Sequence, residues 1–247
     1  MTNIPRNLGV QSFCFRHFKD NEKVAKMVRD LGVAAIELCA VHADFDKPSS
    51  FDDVIRIYRD QGIQIVSIGV QNFRGSDHEM HWFDFAGRAG AKYISANFQP
   101  DTWHRILPQI QQACDSYGIR LGIHNHGGSH WLGNSQMLRY ILSELPSEIG
   151  LCLDTAWCLD AGEDASKWLD EFSHRVYGLH IKDFIFHRNR KPEDVVVGTG
   201  NLDLPALLAK CEDIGFGGYA VLEYEGDPND PVPALKECVQ QVRAAAE

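Results

Sequence analysis

The sequence alternates short apolar segments with longer amphipathic ones, and this alternation restricts the fold more than any other feature. Apolar or β-branched runs typical of strands buried on both faces recur at eight places. They span residues 8–13, 33–38, 63–70, 93–98, 119–123, 149–153, 176–181 and 219–222. Strands that alternate with helices form a parallel sheet with right-handed crossovers, and eight such units can close into a barrel.

The segments between these strands carry apolar residues at the i, i+3, i+4, i+7 spacing of a one-sided helix. This spacing recurs in residues 24–31, 51–58, 82–89, 138–145, 204–211 and 235–242. Glycines that tolerate the left-handed conformation precede several strands, at Gly32, Gly62, Gly90, Gly118 and Gly215. Asp203 and Ser135 are the predicted N-caps.

We therefore predict the α/β class and a single (β/α)8 TIM barrel that occupies one domain over residues 1–247. An open doubly wound sheet is the alternative. It is disfavoured because no Gly-x-Gly-x-x-Gly motif follows the first strand.

Charge and composition exclude several classes of partner. The formal net charge is −10, so the protein repels a phosphate backbone on average and no nucleic-acid partner is expected. No apolar run approaches the roughly 20 residues that span a bilayer, so no membrane partner is expected. The seven cysteines are scattered without a Cys-x-x-Cys pair, which favours reduced thiols and a cytoplasmic protein.

Polar residues follow the predicted strands where each strand ends. The carboxyl ends of barrel strands meet at one mouth, so these side chains are expected to lie together. Buried carboxylates there are costly unless they are paired or bound to a cation. We predict that one divalent ion is bound by His124, Asp154, His180 and Glu223. This donor set suits Mn²⁺, Fe²⁺, Co²⁺ or Zn²⁺ without discriminating among them, and Mn²⁺ is favoured.

Which histidine of the fifth strand binds the ion is left open by the sequence. His124 and His126 are two residues apart, and alternate side chains of a strand share one face. The position at the strand end favours His124.

Five motifs follow the predicted strand ends in order. They are His124-Asn-His-Gly, Leu153-Asp-Thr, Leu179-His-Ile-Lys-Asp, Gly198-Thr-Gly-Asn-Leu-Asp and Leu222-Glu-Tyr-Glu-Gly-Asp. In this order and spacing they resemble the xylose-isomerase-like superfamily of sugar phosphate isomerases and epimerases. The resemblance covers nearly the whole chain, from about residue 8 to residue 242.

The resemblance implies that Asp154, His180 and Glu223 occupy three of the four usual metal positions. The fourth position, on the fifth strand, is commonly glutamate and here is His124. In the ketose epimerases that glutamate and the one on the eighth strand exchange protons on opposite faces of an enediolate. Here only Glu223 is retained.

Substrate contacts are also implied by the resemblance or by chain position. Trp157 stands where the family often has a substrate-binding histidine, and His130 stands where a substrate-contacting glutamate can sit. Glu37, at the end of the second strand, is expected to position a hydroxyl group. The loop of residues 184–200 carries Arg188, which either closes over an anionic substrate as part of a lid or belongs to a solvated loop.

The predicted mechanism removes the proton α to a substrate carbonyl. Glu223 is the expected base, and His126, His130 or Lys182 is the expected acid. An ion pair with Asp183 or Glu225 is an equally weighted interpretation of Lys182. The metal is expected to spread the negative charge of the enediolate.

Three hypotheses follow from these residues. The first is a metal-dependent isomerase or epimerase of a small sugar or hydroxy-keto compound. The second is a lyase or dehydratase, or an enzyme that cleaves oxidised glycosides by elimination, and the His124 replacement favours it because elimination needs one base and one acid. The third is a non-catalytic sugar-binding barrel. The partner expected for an enzyme is a small sugar-like substrate, and a homo-oligomer is compatible with the acidic exterior.

Overall fold

Eight parallel strands close into a barrel in the computed structural model, which describes residues 4–247. Residues 1–3 of the predicted domain lie outside the described residues. The barrel strands are β1 (Leu8–Gln11), β2 (Ala35–Leu38), β3 (Gln64–Phe73), β4 (Tyr93–Phe98), β5 (Arg120–His124), β6 (Ile149–Asp154), β7 (Val176–Ile181) and β10 (Tyr219–Leu222). The strands β8 (Asp183–Phe186) and β9 (Pro192–Val195) form a separate two-stranded sheet. Around the barrel the order is β1, β10, β7, β6, β5, β4, β3, β2, so β10 closes the barrel against β1. The predicted (β/α)8 barrel is confirmed, and the doubly wound alternative is wrong.

Helices cover the outside of the barrel because each buries one apolar face against the strands. Among the described residues they are α1 (Asn21–Asp30), α2 (Phe51–Asp60), α3 (Met80–Ala89), α4 (Trp103–Tyr117), α5 (Ser135–Glu144), α6 (Thr155–Asp160), α7 (Ala165–Glu171), α8 (Leu204–Asp213) and α9 (Val232–Ala245). Gly90 and Gly118 end α3 and α4 in the left-handed conformation, as predicted.

Two local predictions differ from the structure. Asp203 caps α8 as expected, but the cap of α5 is Asn134 rather than Ser135. Asn134 has extended backbone angles and its side chain accepts from the Met137 N–H, whereas the Ser135 N–H donates to Glu163. The predicted loop of residues 184–200 contains an antiparallel hairpin of β8 and β9. Its backbone groups pair with each other instead of with water.

The register of the strands brings their carboxyl ends level at one mouth. Asp154 of β6 pairs with His180 of β7, and His124 of β5 pairs with Cys152 of β6. The N–H of Glu223, just after β10, donates to the carbonyl of Ile181. Four consecutive strands therefore present polar side chains at nearly the same height.

Two further features concern the cysteines and the helix lengths. The seven cysteines all fall within the described residues, where they are free and buried. Within residues 4–247 the longest apolar helices are too short to cross a bilayer.

Candidate metal centre

Four side chains converge at the floor of the barrel mouth. The ligand atoms of His124, Asp154, His180 and Glu223 all lie within 4.8 Å of one another. The Nδ1 atom of His180 lies 2.7 Å from Glu223 Oε2 and 3.2 Å from His124 Nε2. His124 Nε2 lies 3.5 Å from Asp154 Oδ2. These are the four residues that the sequence predicts to share a cation, and His126 is not a member of the cluster.

Burial makes this arrangement unusual for side chains of these types. The Asp154 and His180 side chains are fully buried, and His124 and Glu223 are only 3% and 11% exposed. Asp154 Oδ1 accepts from the Trp157 N–H and caps α6, but Asp154 Oδ2 has no hydrogen-bond partner among residues 4–247. A buried carboxylate oxygen is rarely left unpaired. Because this oxygen faces two imidazoles and a second carboxylate, the donor set fits a divalent cation.

Neighbouring charges keep Glu223 ionised. Burial alone raises the pKa of Glu223, but Lys182 and His180 hold it well below its usual range. Burial also opposes the charging of His180, whereas Cys152, Glu37 and Glu223 raise its pKa well above the ordinary value.

Glu37 lies directly behind the cluster rather than at the cavity. Its Oε1 atom accepts a 2.6 Å hydrogen bond from Gln11 and lies 3.1 Å from Nε2 of His180. Its Oε2 atom accepts from Ser67 and, at 3.2 Å, from the Tyr93 hydroxyl. Burial opposes ionisation of Glu37, yet His180 and Ser67 lower its pKa. Glu37 is absent from the cavity lining, and it faces Nε2 of His180 while Nδ1 of His180 faces Glu223 in the cluster.

Lys182 is buried beneath Glu223 and contacts three carboxylates. It donates to Glu225 Oε1, and its Nζ lies 3.3 Å from Glu223 Oε1 and 3.4 Å from Asp194 Oδ2. These groups, with Asp154, raise the pKa of Lys182 despite its burial. The ion-pair interpretation of Lys182 therefore fits the geometry, with Glu225 as the partner rather than Asp183.

Asp194 is a charged neighbour that sequence reasoning missed. It reaches Lys182 from β9 of the hairpin, and burial raises the pKa of Asp194 to about 7 although Lys182 opposes the shift. Asp194 lies in a segment predicted to be a loop, so no strand-end pattern marks it as a candidate site residue. Asp183, the other predicted ion-pair partner of Lys182, instead accepts from the backbone N–H groups of Gly198, Gly200 and Leu202.

A cavity of about 350 Å³ opens above the cluster. His124, His126 and Glu223 form polar parts of its wall, while Trp157 and Phe13 form apolar parts. This volume falls within the range of small-molecule sites.

Two histidines of the loop after β5 adjoin this cavity. The His126 ring centroid lies 4.7 Å from His124 and 5.1 Å from His130. Burial, with His124 and His130, lowers the pKa of His126 to about 3. His130 is half-buried, and its Nδ1 accepts from the Leu132 N–H.

The other predicted contacts are divided between the cavity and the surface. Trp157 lines the cavity and packs edge-on against Phe184 at 5.0 Å. Arg188 is exposed in the turn of the β8–β9 hairpin and does not line the cavity. The lid contact predicted for Arg188 is therefore not formed in this structure.

Comparison with protein families identifies this barrel. A family model described as "Xylose isomerase-like TIM barrel" matches residues 25–244. The chain belongs to the xylose isomerase-like TIM-barrel family. The resemblance of the strand-end motifs is thereby confirmed at the level of the family.

Curated relatives of this xylose isomerase-like barrel include sugar-modifying enzymes. Inosose dehydratase of Lacticaseibacillus casei is 21% identical over 152 residues, which cover 53% of this chain and 50% of the relative. The 3-oxo-isoapionate decarboxylase of Pectobacterium atrosepticum is 25% identical over 194 residues, which cover 71% and 67%. The chain spans about half the length of the first curated relatives that it matches.

A solved structure supports the fold over the whole barrel. The 3-keto-D-glucoside 4-epimerase of E. coli superposes with a TM-score of 0.74 at 14% identity, covering 96% of this chain and 99% of the epimerase. At this identity the likeness concerns the fold alone.

Proposed function

We propose that this barrel is a divalent-metal-dependent lyase that removes the proton α to the carbonyl of a small keto sugar and then expels a β-hydroxyl group as water. One observation carries the proposal: a buried cluster of two imidazoles and two carboxylates forms the floor of a cavity, and Glu223 is its carboxylate that also lines the cavity. The lyase is therefore placed ahead of the isomerase or epimerase, which is the first of the hypotheses drawn from the sequence.

The cluster residues would hold the cation through His124 Nε2, Asp154 Oδ2, His180 Nδ1 and Glu223. When bound there, a divalent ion supplies positive charge that stabilises the negative charge developing on the substrate oxygens. Glu37 Oε1 lies 3.1 Å from the opposite nitrogen of His180, Nε2, at ion-pair distance. The imidazole is thus oriented before any ligand arrives.

Glu223 is the proposed base. It lines the cavity, and its Oε1 atom lies 3.3 Å from Lys182 Nζ while Oε2 faces His180. Lys182 is too deeply buried to reach the substrate from its observed position, at 1% exposure, and acts by holding Glu223 and Glu225 in place. In the proposed step Glu223 takes the α-proton, and the released electron pair forms the enediolate of the substrate.

His126 is the proposed proton donor. It lines the cavity from the β5 side, and β5 is three strands away from β10, which carries Glu223. Its imidazole N–H would transfer a proton to the departing β-hydroxyl oxygen, which leaves as water as the carbonyl re-forms and the new carbon–carbon double bond is made, and His126 would then recover a proton from solvent. Neutral histidines are known to assist enzymatic enolisation as hydrogen-bond donors. Trp157 offers an apolar face to the sugar ring, and His130 lies next to His126.

The names of the relatives and the single glutamate favour elimination over epimerisation. Two curated relatives that match this chain are named as a dehydratase and a decarboxylase, and both names denote lyase reactions. Epimerisation through two carboxylates lacks its second carboxylate, because the strand-five position is His124.

Isomerisation or epimerisation is the second candidate. The observation that favours it is that Glu223 follows β10 and His126 follows β5, three strands apart around the mouth, and that both line the cavity. Two groups that face each other across a cavity can exchange protons on opposite faces of one substrate carbon.

The test is to incubate protein supplied with Mn²⁺, Co²⁺ or Zn²⁺ with a panel of inososes and other keto sugars in D₂O. We expect loss of the α-proton signal by NMR and a product lighter by one water by mass spectrometry. Glu223→Gln should stop both changes, whereas Glu237→Gln, on the exposed face of α9, should stop neither. Solvent deuterium in a product of unchanged composition would favour the isomerase, and no exchange with any substrate or metal would leave the non-catalytic binding barrel.

A further inference from the structure

A second group of metal-ligand side chains lies outside the proposed active site. Asp46 belongs to the loop between β2 and α2, His78 to the short 3-10 turn before α3, and His81 to the first turn of α3. One ligand atom from each residue lies within 4.8 Å of the other two. We propose that these three residues, the rim triad, form a second metal site that binds Zn²⁺ or a similar transition ion.

The spacing of the rim triad is close to that of a metal site. Asp46 Oδ1 and His78 Nδ1 are 3.3 Å apart, and ligand atoms around a tetrahedral zinc ion are also about 3.3 Å apart. The side chains of these two residues are 78% and 68% exposed. They are therefore free to rotate by the small amount that coordination requires, and water can supply a fourth ligand.

A backbone carbonyl selects one tautomer of His81. Its Nδ1 atom lies 3.1 Å from the carbonyl oxygen of Phe45. A carbonyl oxygen only accepts, so Nδ1 carries the proton and Nε2 keeps its lone pair. A backbone carbonyl in this position is the usual outer partner of a histidine that binds a metal.

Buried anchors fix the two loops that carry the rim triad. Glu79 is 3% exposed, and its Oε1 accepts from the N–H groups of Arg74, Gly75 and Ser76 at 2.6, 2.9 and 3.0 Å. On the other loop, Phe45 is buried and packs edge-on against Phe85 at 5.2 Å. Because the backbone is already ordered, little conformational entropy is lost when an ion binds.

The chemistry of the rim triad selects the metal and suggests a role. Two imidazoles and one carboxylate favour Zn²⁺, Ni²⁺ or Cu²⁺ over Mg²⁺ and Mn²⁺. The loop that carries Asp46 begins with Cys39, Ala40 and Val41, which line the mouth cavity. An ion bound to the rim triad would connect this loop to α3 and restrain one wall of the cavity. The alternative is an exposed ion pair of Asp46 and His78, which holds no metal.

The test is the zinc content of untagged protein, measured by elemental mass spectrometry after saturation with Zn²⁺ and removal of free ion. We expect His78→Ala, His81→Ala and Asp46→Asn each to hold about one equivalent less than the wild type. His174→Ala, which removes an exposed histidine far along the chain, should hold as much as the wild type. Circular dichroism and thermal melting identify any variant that fails to fold.

The result separates this site from the proposed catalytic one. If the barrel cluster binds no zinc, the wild type should hold about one equivalent and His78→Ala about none. Zn²⁺ should also raise the Tm of the wild type more than that of His78→Ala, because an ion that binds only the folded chain stabilises it. Equal zinc content in the wild type and all three triad variants would overturn the proposal.

Discussion

The two ends of the barrel use charged side chains in opposite ways. At the carboxyl end Asp154 and His180 are fully buried, and Asp154 Oδ2 has no hydrogen-bond partner in the described part of the chain. At the amino end the guanidinium of Arg175, just before β7, donates to the backbone carbonyls of Leu145, Pro146 and Ile149 at the start of β6. The charged side chains at the carboxyl end are arranged so that they could hold a cation, whereas Arg175 at the amino end donates hydrogen bonds to backbone carbonyls.

The cavities at the two ends also differ in how their charged groups are buried. The amino-end cavity is the larger, at about 440 Å³ against about 350 Å³ at the mouth. Its charged groups, Lys92 and Arg120, are exposed, and Arg120 packs over the Tyr177 ring at 4.8 Å. Cavity volume therefore does not identify the candidate functional site. Buried ligand atoms that lack a protein partner distinguish the mouth from the opposite end.

The largest effect is expected from Asp154→Asn at the mouth. Asparagine keeps the cap of α6 but removes the charge from the cluster. Metal content should fall to background and turnover by about 10³-fold, because preorganised charge is the main contribution to such catalysis. The measurement is elemental analysis beside a steady-state assay, with the exposed Asp115→Asn as control. Full metal content in Asp154→Asn would contradict the assignment.

Arg175→Ala at the amino end should act on stability instead. Loss of the guanidinium removes its hydrogen bonds to three backbone carbonyls, so the free energy of unfolding should fall by about 3 kcal/mol. Urea denaturation measures this change, and Arg175→Met separates the lost hydrogen bonds from the lost packing of the stem. Turnover per folded molecule should stay at the wild-type value. A large loss of turnover in fully folded Arg175→Ala would remove the distinction between the two ends.

Glu37→Gln tests whether the residues behind the cluster orient it. Glutamine removes the negative charge that lies 3.1 Å from His180 Nε2, so metal affinity should fall by about 10- to 100-fold. Competition with a chelator measures the affinity directly, without reference to activity. Glu237→Gln serves as the control, and an unchanged affinity in Glu37→Gln would show that His180 needs no such partner.

The smallest effect is expected from Arg120→Ala. The contact of its guanidinium with Tyr177 is at the surface, where such contacts contribute about 0.5–1 kcal/mol. Thermal melting should show a slight decrease in Tm, with metal content and turnover unchanged. If Arg120→Ala lowered turnover by a larger factor than Glu37→Gln lowered metal affinity, the amino-end cavity would have to be treated as functional.

The sequence was enough to predict the barrel and the four residues that cluster at its mouth. Apolar runs and glycine stops defined the strands closely, and β4, β7 and β10 have the predicted bounds. The cluster followed because parallel barrel strands must bring their carboxyl ends to one mouth. Alternation along a strand could not separate His124 from His126, since both share a face; only the geometry brings His124 into the cluster and His126 into the cavity wall.

Tertiary structure alone decided which residues support the site. Glu37 reaches His180 across the barrel interior, from a strand that is not its neighbour, and Asp194 reaches Lys182 from a hairpin. The Asp183 carboxylate accepts hydrogen bonds from three backbone N–H groups rather than contacting Lys182. Sequence patterns record the period of a strand or helix, so they show which way a side chain faces. They do not record which distant side chain it meets, because that depends on how the strands close in three dimensions.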